Sequence, residues 1–194
     1  GYASGMDEAA VNKAGFDPIK PKLQAIAALK DRADIVDFID TRFNEGDSYV
    51  FDFEAGGDFR NAQLQIGYIS QAGLGLPTRD YYFKSQYKDL RKEYLAHIAK
   101  ALVLTGASES DAARQAGEVM TFETALAKAS LSPTELRNLD NEYHFVTVAA
   151  ADKVSPHFSW EKFFAAQGVD VGKGFSLSQP RFIAAFDRQL VHAP

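Results

Sequence analysis

The chain has 194 residues, 46% of them hydrophobic and 24% charged, with a net charge of −5. That excludes global disorder and supplies one real core with a small satellite at most, while the acidic balance argues against a nucleic-acid partner, which needs a basic surface. The absence of cysteine excludes disulfides, thiolate metal sites and a cysteine nucleophile.

The chain opens GYASGMDEAA, without an initiator methionine, and this already reads as the interior of a helical segment. A fragment or processed form is expected. No apolar run approaches the length of a membrane span. Ala3 to Lys13 is helix-compatible, Gly15 stops it, and Pro18 and Pro21 suggest a short rigid link. Leu23, Ile26, Ala27 and Leu29 then recur at helical spacing. Asp31 or Asp34 can cap a further helix that carries Ile35, Val36, Phe38 and Ile39 inward and ends at Gly46.

The period then changes. Tyr49, Phe51 and Phe53 alternate with Val50, Asp52 and Glu54, and Leu64, Ile66 and Tyr68 alternate with Gln65, Gly67 and Ile69. Two strands joined through Gly56-Gly57-Asp58 and Arg60-Asn61 are predicted, and they must pack on helices to be stable. After Phe83, Tyr87, Leu90, Tyr94, Ile98, Ala101 and Leu102 mark a long helix stopped by Gly106. Ser108 can cap the next, with Ala112, Ala116, Val119, Met120 and Leu126 inside. The pair is expected to be antiparallel. Leu131-Ser132-Pro133 ends it, and shorter helices are predicted around 146–152, 159–166 and 180–190. The densest basic run, Lys84–Lys92, is interrupted by Asp89 and reads as a solvated helix face. The fold class is mainly α: one mostly helical domain over 1–194, with a small two-stranded β-hairpin and a long antiparallel helix pair.

Catalytic signals are sparse. His97, His144, His157 and His192 form no i,i+4 pair and no HExxH, and no GxSxG elbow or phosphate loop is present. Glu123, beside Phe122 and one turn from Met120 and Leu126, reads as a buried structural partner for an arginine, with Arg79 the candidate. GLGLPTRDYYF, Gly73 to Phe83, concentrates the unusual chemistry. Gly73 and Gly75 permit conformations that a Cβ forbids, Pro77 fixes φ, Arg79 and Asp80 can satisfy buried groups or each other, and Tyr81, Tyr82 and Phe83 form an aromatic anchor. A rigid crossover from hairpin to helix and a ligand-facing loop both fit. RFIAAFDRQLVHAP carries Phe182, Ile183, Phe186 and Leu190 as an apolar stripe; a partly uncovered apolar patch is expected on this C-terminal helix or on the N-terminal one.

GLGLPTRDYYF resembles a signature of the neprilysin family of zinc metallopeptidases. YASGMDEAAVNKAG is similar to the family's preceding helix, FETALAKASLSPTELRN to its glutamate-led helix end and Glu-Leu-Arg segment, and PHFSWEKFF, with Trp160, to its Phe-x-Trp motif. They occur in the family's order across nearly the whole chain. The resemblance implies part of the N-terminal, non-catalytic capping lobe of a much longer metalloendopeptidase. There, a thermolysin-like C-terminal lobe of the same chain binds zinc through HExxH and a downstream glutamate and hydrolyses oligopeptides. Neither motif occurs here, nor does the family's Asn-Ala-x-Tyr motif, so the resemblance places no catalytic, substrate-binding or metal residue on this chain and no cofactor in it. Zinc and the oligopeptide substrate belong to the parent. What carries over is the structural signature: Gly73, Gly75, Pro77, Arg79, Asp80, Tyr81, Tyr82, Glu123 and Trp160. Tyr143-His144 departs from the family's Tyr-Asn. The lack of cysteine fits a bacterial member, which implies a periplasmic or cell-envelope location. An independent helical binding module, and a self-standing hydrolase built around Glu123, His144 and His157, are the alternatives.

Overall fold

The computed structural model describes residues 5–192, so the predicted helix start at Ala3 lies outside the described residues. Helix α1 (Glu8–Ala14), the first whose bounds lie among the described residues, is capped by Asp7, whose carboxylate accepts the Ala10 N–H at 3.0 Å, and Gly15 ends it with a φ of 53°. Pro18 and Pro21 do not form an extended link. They occupy the first turns of a 3-10 segment (Asp17–Ile19) and of α2 (Lys20–Ala27), where the missing N–H has no helical partner to lose. Asp31 caps α3 (Arg32–Asn44) by accepting the Asp34 N–H, and the Asp34 carboxylate in turn accepts the Lys30 N–H at 2.8 Å. This reciprocity resembles a capping box.

The hairpin forms as expected in type but not in detail. β1 (Phe51–Asp58) pairs antiparallel with β2 (Asn61–Gln71). Gly56 and Gly57 lie inside β1, opposite Ile66 and Gln65, and the turn is Phe59-Arg60. A Cβ on Gly56 would make only ordinary contact with the Tyr68 ring at 3.5 Å, whereas one on Gly67 of β2 would lie 2.7 Å from Phe53 Cε2, so it is Gly67 that the packing of the pair requires. Two further short strands, β3 (Phe145–Val146) and β4 (Phe175–Leu177), extend the expected pair to a four-stranded sheet of order β1-β2-β4-β3. β4 runs parallel to β2, with Tyr68 opposite Ser176 and Ile69 opposite Leu177, and antiparallel to β3.

Helices dominate the rest. A single turn, α4 (Asp80–Phe83), leads through a 3-10 segment (Ser85–Tyr87) into α5 (Lys88–Leu104). Gly106, at φ 109°, reverses the chain, and Ser108 caps α6 (Glu109–Ala129) by accepting the Asp111 N–H. α5 and α6 pack along each other as the predicted pair. Thr147 and Ser159 cap α7 (Val148–Val154) and α8 (Trp160–Ala166), and α9 (Pro180–Val191) closes the described chain. The fold is mainly α.

The main core gathers Phe51 and Ile69 from the sheet with Phe158, Trp160, Phe163 and Phe186, all at most 1% exposed. Phe182, Ile183, Phe186 and Leu190 of α9 are buried in it. The expectation of an uncovered C-terminal stripe is therefore corrected: α9 packs on α6 and α7 and its stripe turns inward. The uncovered apolar surface is on the N-terminal helices, the other place expected for it. α1 and α2 bury no residue, and Met6, Val11, Phe16, Ile19 and Ile26 are exposed.

Candidate functional site

The loop Ala72–Arg79 leaves β2 and must cross from the sheet to the helix pair within one short span. Gly73 makes the first bend with φ +73°; a Cβ there would overlap the Tyr49 carbonyl oxygen and lie 2.8 Å from Val50 Cα. Gly75 has a different reason. A Cβ would overlap the Tyr94 hydroxyl and lie 2.7 Å from Tyr94 Cζ and 3.1 Å from Glu123 Oε1. The bare backbone makes room for a carboxylate and its phenol.

That carboxylate organises the corner. Glu123 is 8% exposed on α6. The Tyr82 hydroxyl donates to its Oε2 at 2.6 Å, and the Tyr94 hydroxyl lies 3.0 Å from Oε1 and 3.2 Å from Oε2. Tyr82 also accepts the Leu76 N–H at 3.1 Å. One buried glutamate thus ties the loop, α4, α5 and α6 through two phenols, and burial with the adjacent carboxylate holds both in the protonated, donating form. The Tyr94 hydroxyl is pushed up to about 12, and Tyr82 higher still. Leu76, Tyr82 and Ala127 form a small second core under this network, with Leu74, Tyr94 and Met120 packed against it.

The expected partner of Glu123 is therefore corrected. Arg79 does not reach it; its Nη1 lies 3.9 Å from Glu135 Oε2, and its guanidinium sits 5.8 Å over the Phe83 ring. Nor does Arg79 pair with Asp80, which holds Lys84 at 2.7 Å. Tyr81 stacks on Tyr87 at 4.0 Å between ring centroids, and Arg91 donates to the Tyr81 carbonyl at 2.7 Å, closing the end of α4. Pro77 and Arg79 face a cleft of about 370 Å³ between the loop and the segment after α6, lined also by Leu74, Leu76, Leu131 and Leu136.

Trp160 lies in the other signature corner, fully buried, with its indole N–H donating to Ser155 Oγ at 2.8 Å and its backbone N–H to Asp152 Oδ1 at 2.9 Å. Asp187 of α9 accepts the His157 N–H at 2.8 Å and lies 2.8 Å from His157 Nδ1. His144 Nδ1 lies 2.9 Å from the Ser178 carbonyl, and His97 is exposed on α5. Glu123, His144 and His157 thus have separate partners, and no hydrogen bond among the described residues joins them. Also among the described residues, no group of three His, Cys, Asp or Glu side chains could hold a metal ion. These donors do not fit a catalytic zinc, and no chemical step is assigned to one on this chain.

Three partners escaped the sequence reading. Tyr94 reads as part of a helical stripe, and equal counting from Gly106 sets it opposite Glu118 rather than Glu123, so spacing does not reveal its bond to that carboxylate. Glu135 carries no motif that marks it as the neighbour of Arg79. Gln71 bonds the Leu131 backbone through both ends of its amide, at 2.8 and 3.2 Å, while its own N–H donates to Gln179 Oε1 at 2.8 Å; no spacing rule points to such a pair.

A model of Peptidase family M13 matches residues 1–194. Among curated proteins, Neprilysin-3 of Drosophila melanogaster is 33% identical over 117 residues, 59% of this chain and 15% of that protein. Endothelin-converting enzyme 1 of Mus musculus is 32% identical over 118 residues, 60% of this chain and 15% of that protein. Among solved structures, the zinc metalloprotease Zmp1 of Mycobacterium tuberculosis, crystallised with an inhibitor, matches 100% of this chain and 30% of its own at a TM-score of 0.90 and 26% identity. PepO from Lactobacillus rhamnosis shares the fold over 91% of this chain and 28% of its own, at a TM-score of 0.78 and 13% identity. The chain thus spans about 15% of the length of these curated relatives and under a third of these solved chains.

Proposed function

The chain belongs to peptidase family M13, and on that premise we propose that it is a wall and lid portion of the substrate chamber of a neprilysin-like zinc metalloendopeptidase. The observation that carries this reading is the match of the full length of the chain to 30% of a zinc metalloprotease at a TM-score of 0.90. A sequence without HExxH supports placing the chemistry elsewhere in the parent, on a C-terminal lobe that is this chain's principal partner. The exposed apolar residues of α1 and α2 support a surface made to be covered by such a lobe. We take residues 1–194 as one unit of the capping lobe and place the parent in the bacterial periplasm or cell envelope; no described helix is long and apolar enough to cross a membrane.

The test has two arms. The purified chain, loaded with zinc and offered a quenched fluorescent oligopeptide, should neither hydrolyse it nor retain an equimolar ion. In the full-length parent, loosening this lobe should raise turnover of long peptides relative to short ones. Hydrolysis by the chain alone, or a size preference that does not move, would overturn the assignment.

A second reading has one observation in its favour. The α9 stripe is buried within the chain's own core, as suits a module that acts by binding alone. A parent reading frame that ends near Pro194 would support it, and one that runs on to HExxH would remove it.

A further inference from the structure

Arg79 is the signature residue that the corner does not use. Among the described residues its guanidinium has no hydrogen-bond acceptor, since Glu135 Oε2 at 3.9 Å is beyond hydrogen-bonding distance. Its fixed fork of N–H donors is thus held at the edge of a cleft with only a long ion pair to the Glu135 carboxylate and the Phe83 ring beneath it, and with no hydrogen-bonded acceptor among the described residues. The side chain is 29% exposed, so a ligand can reach it.

The cleft has the dimensions of a small-ligand site. Its volume is about 370 Å³; Leu74, Leu76, Leu131 and Leu136 give it apolar walls, and Asp52, Thr78 and Ser130 also line it, so among the described residues lining it Arg79 is the one cation to set against a ligand's charge. Both walls are fixed before any ligand arrives. The loop wall is held by the tight fit of Gly73 against Tyr49 and of Gly75 against Tyr94. The facing wall is held by the two hydrogen bonds between the Gln71 amide and the Leu131 backbone. Preformed walls lower the ordering cost of binding. Gly73 and Leu74 line the cleft and make no main-chain hydrogen bond among the described residues, which leaves peptide groups free to pair with a bound main chain.

A guanidinium fork selects a planar carboxylate, leucine walls select an apolar side chain, and unpaired backbone selects a peptide. We propose that this cleft binds the C-terminal residue of a short peptide, with Arg79 on the carboxylate and the leucines around an apolar side chain. The choice of a peptide over another apolar acid rests on the peptidase reading above; the recognition of a carboxylate beside an apolar group does not.

The experiment is an NMR titration of the chain with N-acetyl-Ala-Leu-Leu, its C-terminal amide, and octanoate. The backbone amides of Gly73, Leu74 and Arg79 should shift saturably with the free acid, and the amidated peptide should bind about tenfold more weakly. Arg79→Gln should bring the acid down to the affinity of the amide while leaving the amide's own affinity and the melting temperature unchanged, and Arg79→Lys should recover part of the loss. A purely structural Arg79 would instead lower the affinity for both peptides together and shift the melting curve. Equal binding of acid and amide, no saturable shift in the loop, or octanoate binding as tightly as the peptide would each overturn the proposal. Because nothing in this titration requires hydrolysis, an inactive parent would sink the peptidase reading and leave carboxylate-dependent binding standing.

Discussion

The two signature corners solve the same problem by opposite means. Around Trp160 the chain turns between α7 and α8 inside a stack of rings: Phe158 lies 4.9 Å from Trp160 between centroids, and Phe51 lies 5.2 Å from Trp160 and from Phe163. Polar atoms there are at the margin, where Ser155 and Asp152 take the tryptophan's two N–H groups. Around Glu123 the order is reversed. A buried carboxylate sits at the centre, and the apolar cluster beneath it has only Leu76, Tyr82 and Ala127 fully inside. The first corner holds by volume and loses stability in proportion to what is removed. The second holds by matching donors to one acceptor, so its losses depend on which atom is left without a partner.

The most damaging way to break the comparison is Trp160→Ala. It empties the largest fully buried side chain and leaves Ser155 Oγ without its donor; a loss of about 3–5 kcal/mol is expected in urea unfolding. Glu123→Ala should come next, at about 2–3 kcal/mol, because two buried phenol hydroxyls lose their acceptor at once. Glu123→Gln keeps one acceptor oxygen and should cost clearly less, a distinction that a volume-based corner would not make. Gly75→Ala should cost about 1–2 kcal/mol by forcing Tyr94 away. Tyr94→Phe in the same chain should return part of it, since the hydroxyl is the atom most directly overlapped, and strict additivity in that double mutant would refute the steric account.

The smallest effect lies outside both corners and is read by pH. Asp40 on α3 is buried, its Oδ1 has no hydrogen-bond partner among the described residues, and desolvation, reinforced by nearby Asp37, pushes its carboxyl up to about 6. The folded state therefore holds this proton more tightly than the unfolded chain does. The contribution is fully present below about pH 4 and is lost as pH rises through about 6. Asp40→Asn should flatten that part of the stability profile and raise the melting temperature modestly at pH 8. A profile identical to that of the unmodified chain would show that Asp40 does not titrate there.

Long periodic elements were legible in the sequence. α5 and α6 carry their apolar residues at helical spacing over many turns, and Gly106 and Ser108 mark the reversal between them. β3 and β4 were not. Two and three residues cannot show alternation, and Phe175, Ser176 and Leu177 are all buried, so no face is distinguished from the other. Pro18 and Pro21 read as breakers because proline ends helices more visibly than it begins them, and Gly56-Gly57 read as a turn because adjacent glycines mark turns more visibly than strand interiors. In the candidate site, the burial of Glu123 was legible but its partner was not. An apolar helix face shows that a carboxylate must be satisfied; whether a guanidinium or two phenols satisfy it depends on how α4 and α5 lie against α6, which no local pattern encodes. Arg79 is the one guanidinium in the signature stretch and so is the natural candidate for that role, yet it lies at the edge of the cleft, 3.9 Å from Glu135.

The parallel pairing of β2 with β4 bears on how the molecule is made. Gln71 and Gln179, joined by one hydrogen bond at the end of this pairing, are 108 residues apart in the chain. The hairpin and the α5–α6 pair rest on near-neighbour contacts and can form early, whereas β4 can dock only once the chain has run on from Gln71 to Phe175. During synthesis, the inner edge of β2 at Tyr68 and Ile69 thus waits unpaired, with Ile69 fully buried only in the finished fold. A chain stopped before Phe175 would keep that edge open as a template for another strand, so intermolecular β-pairing is the expected failure of truncated or slowly translated forms.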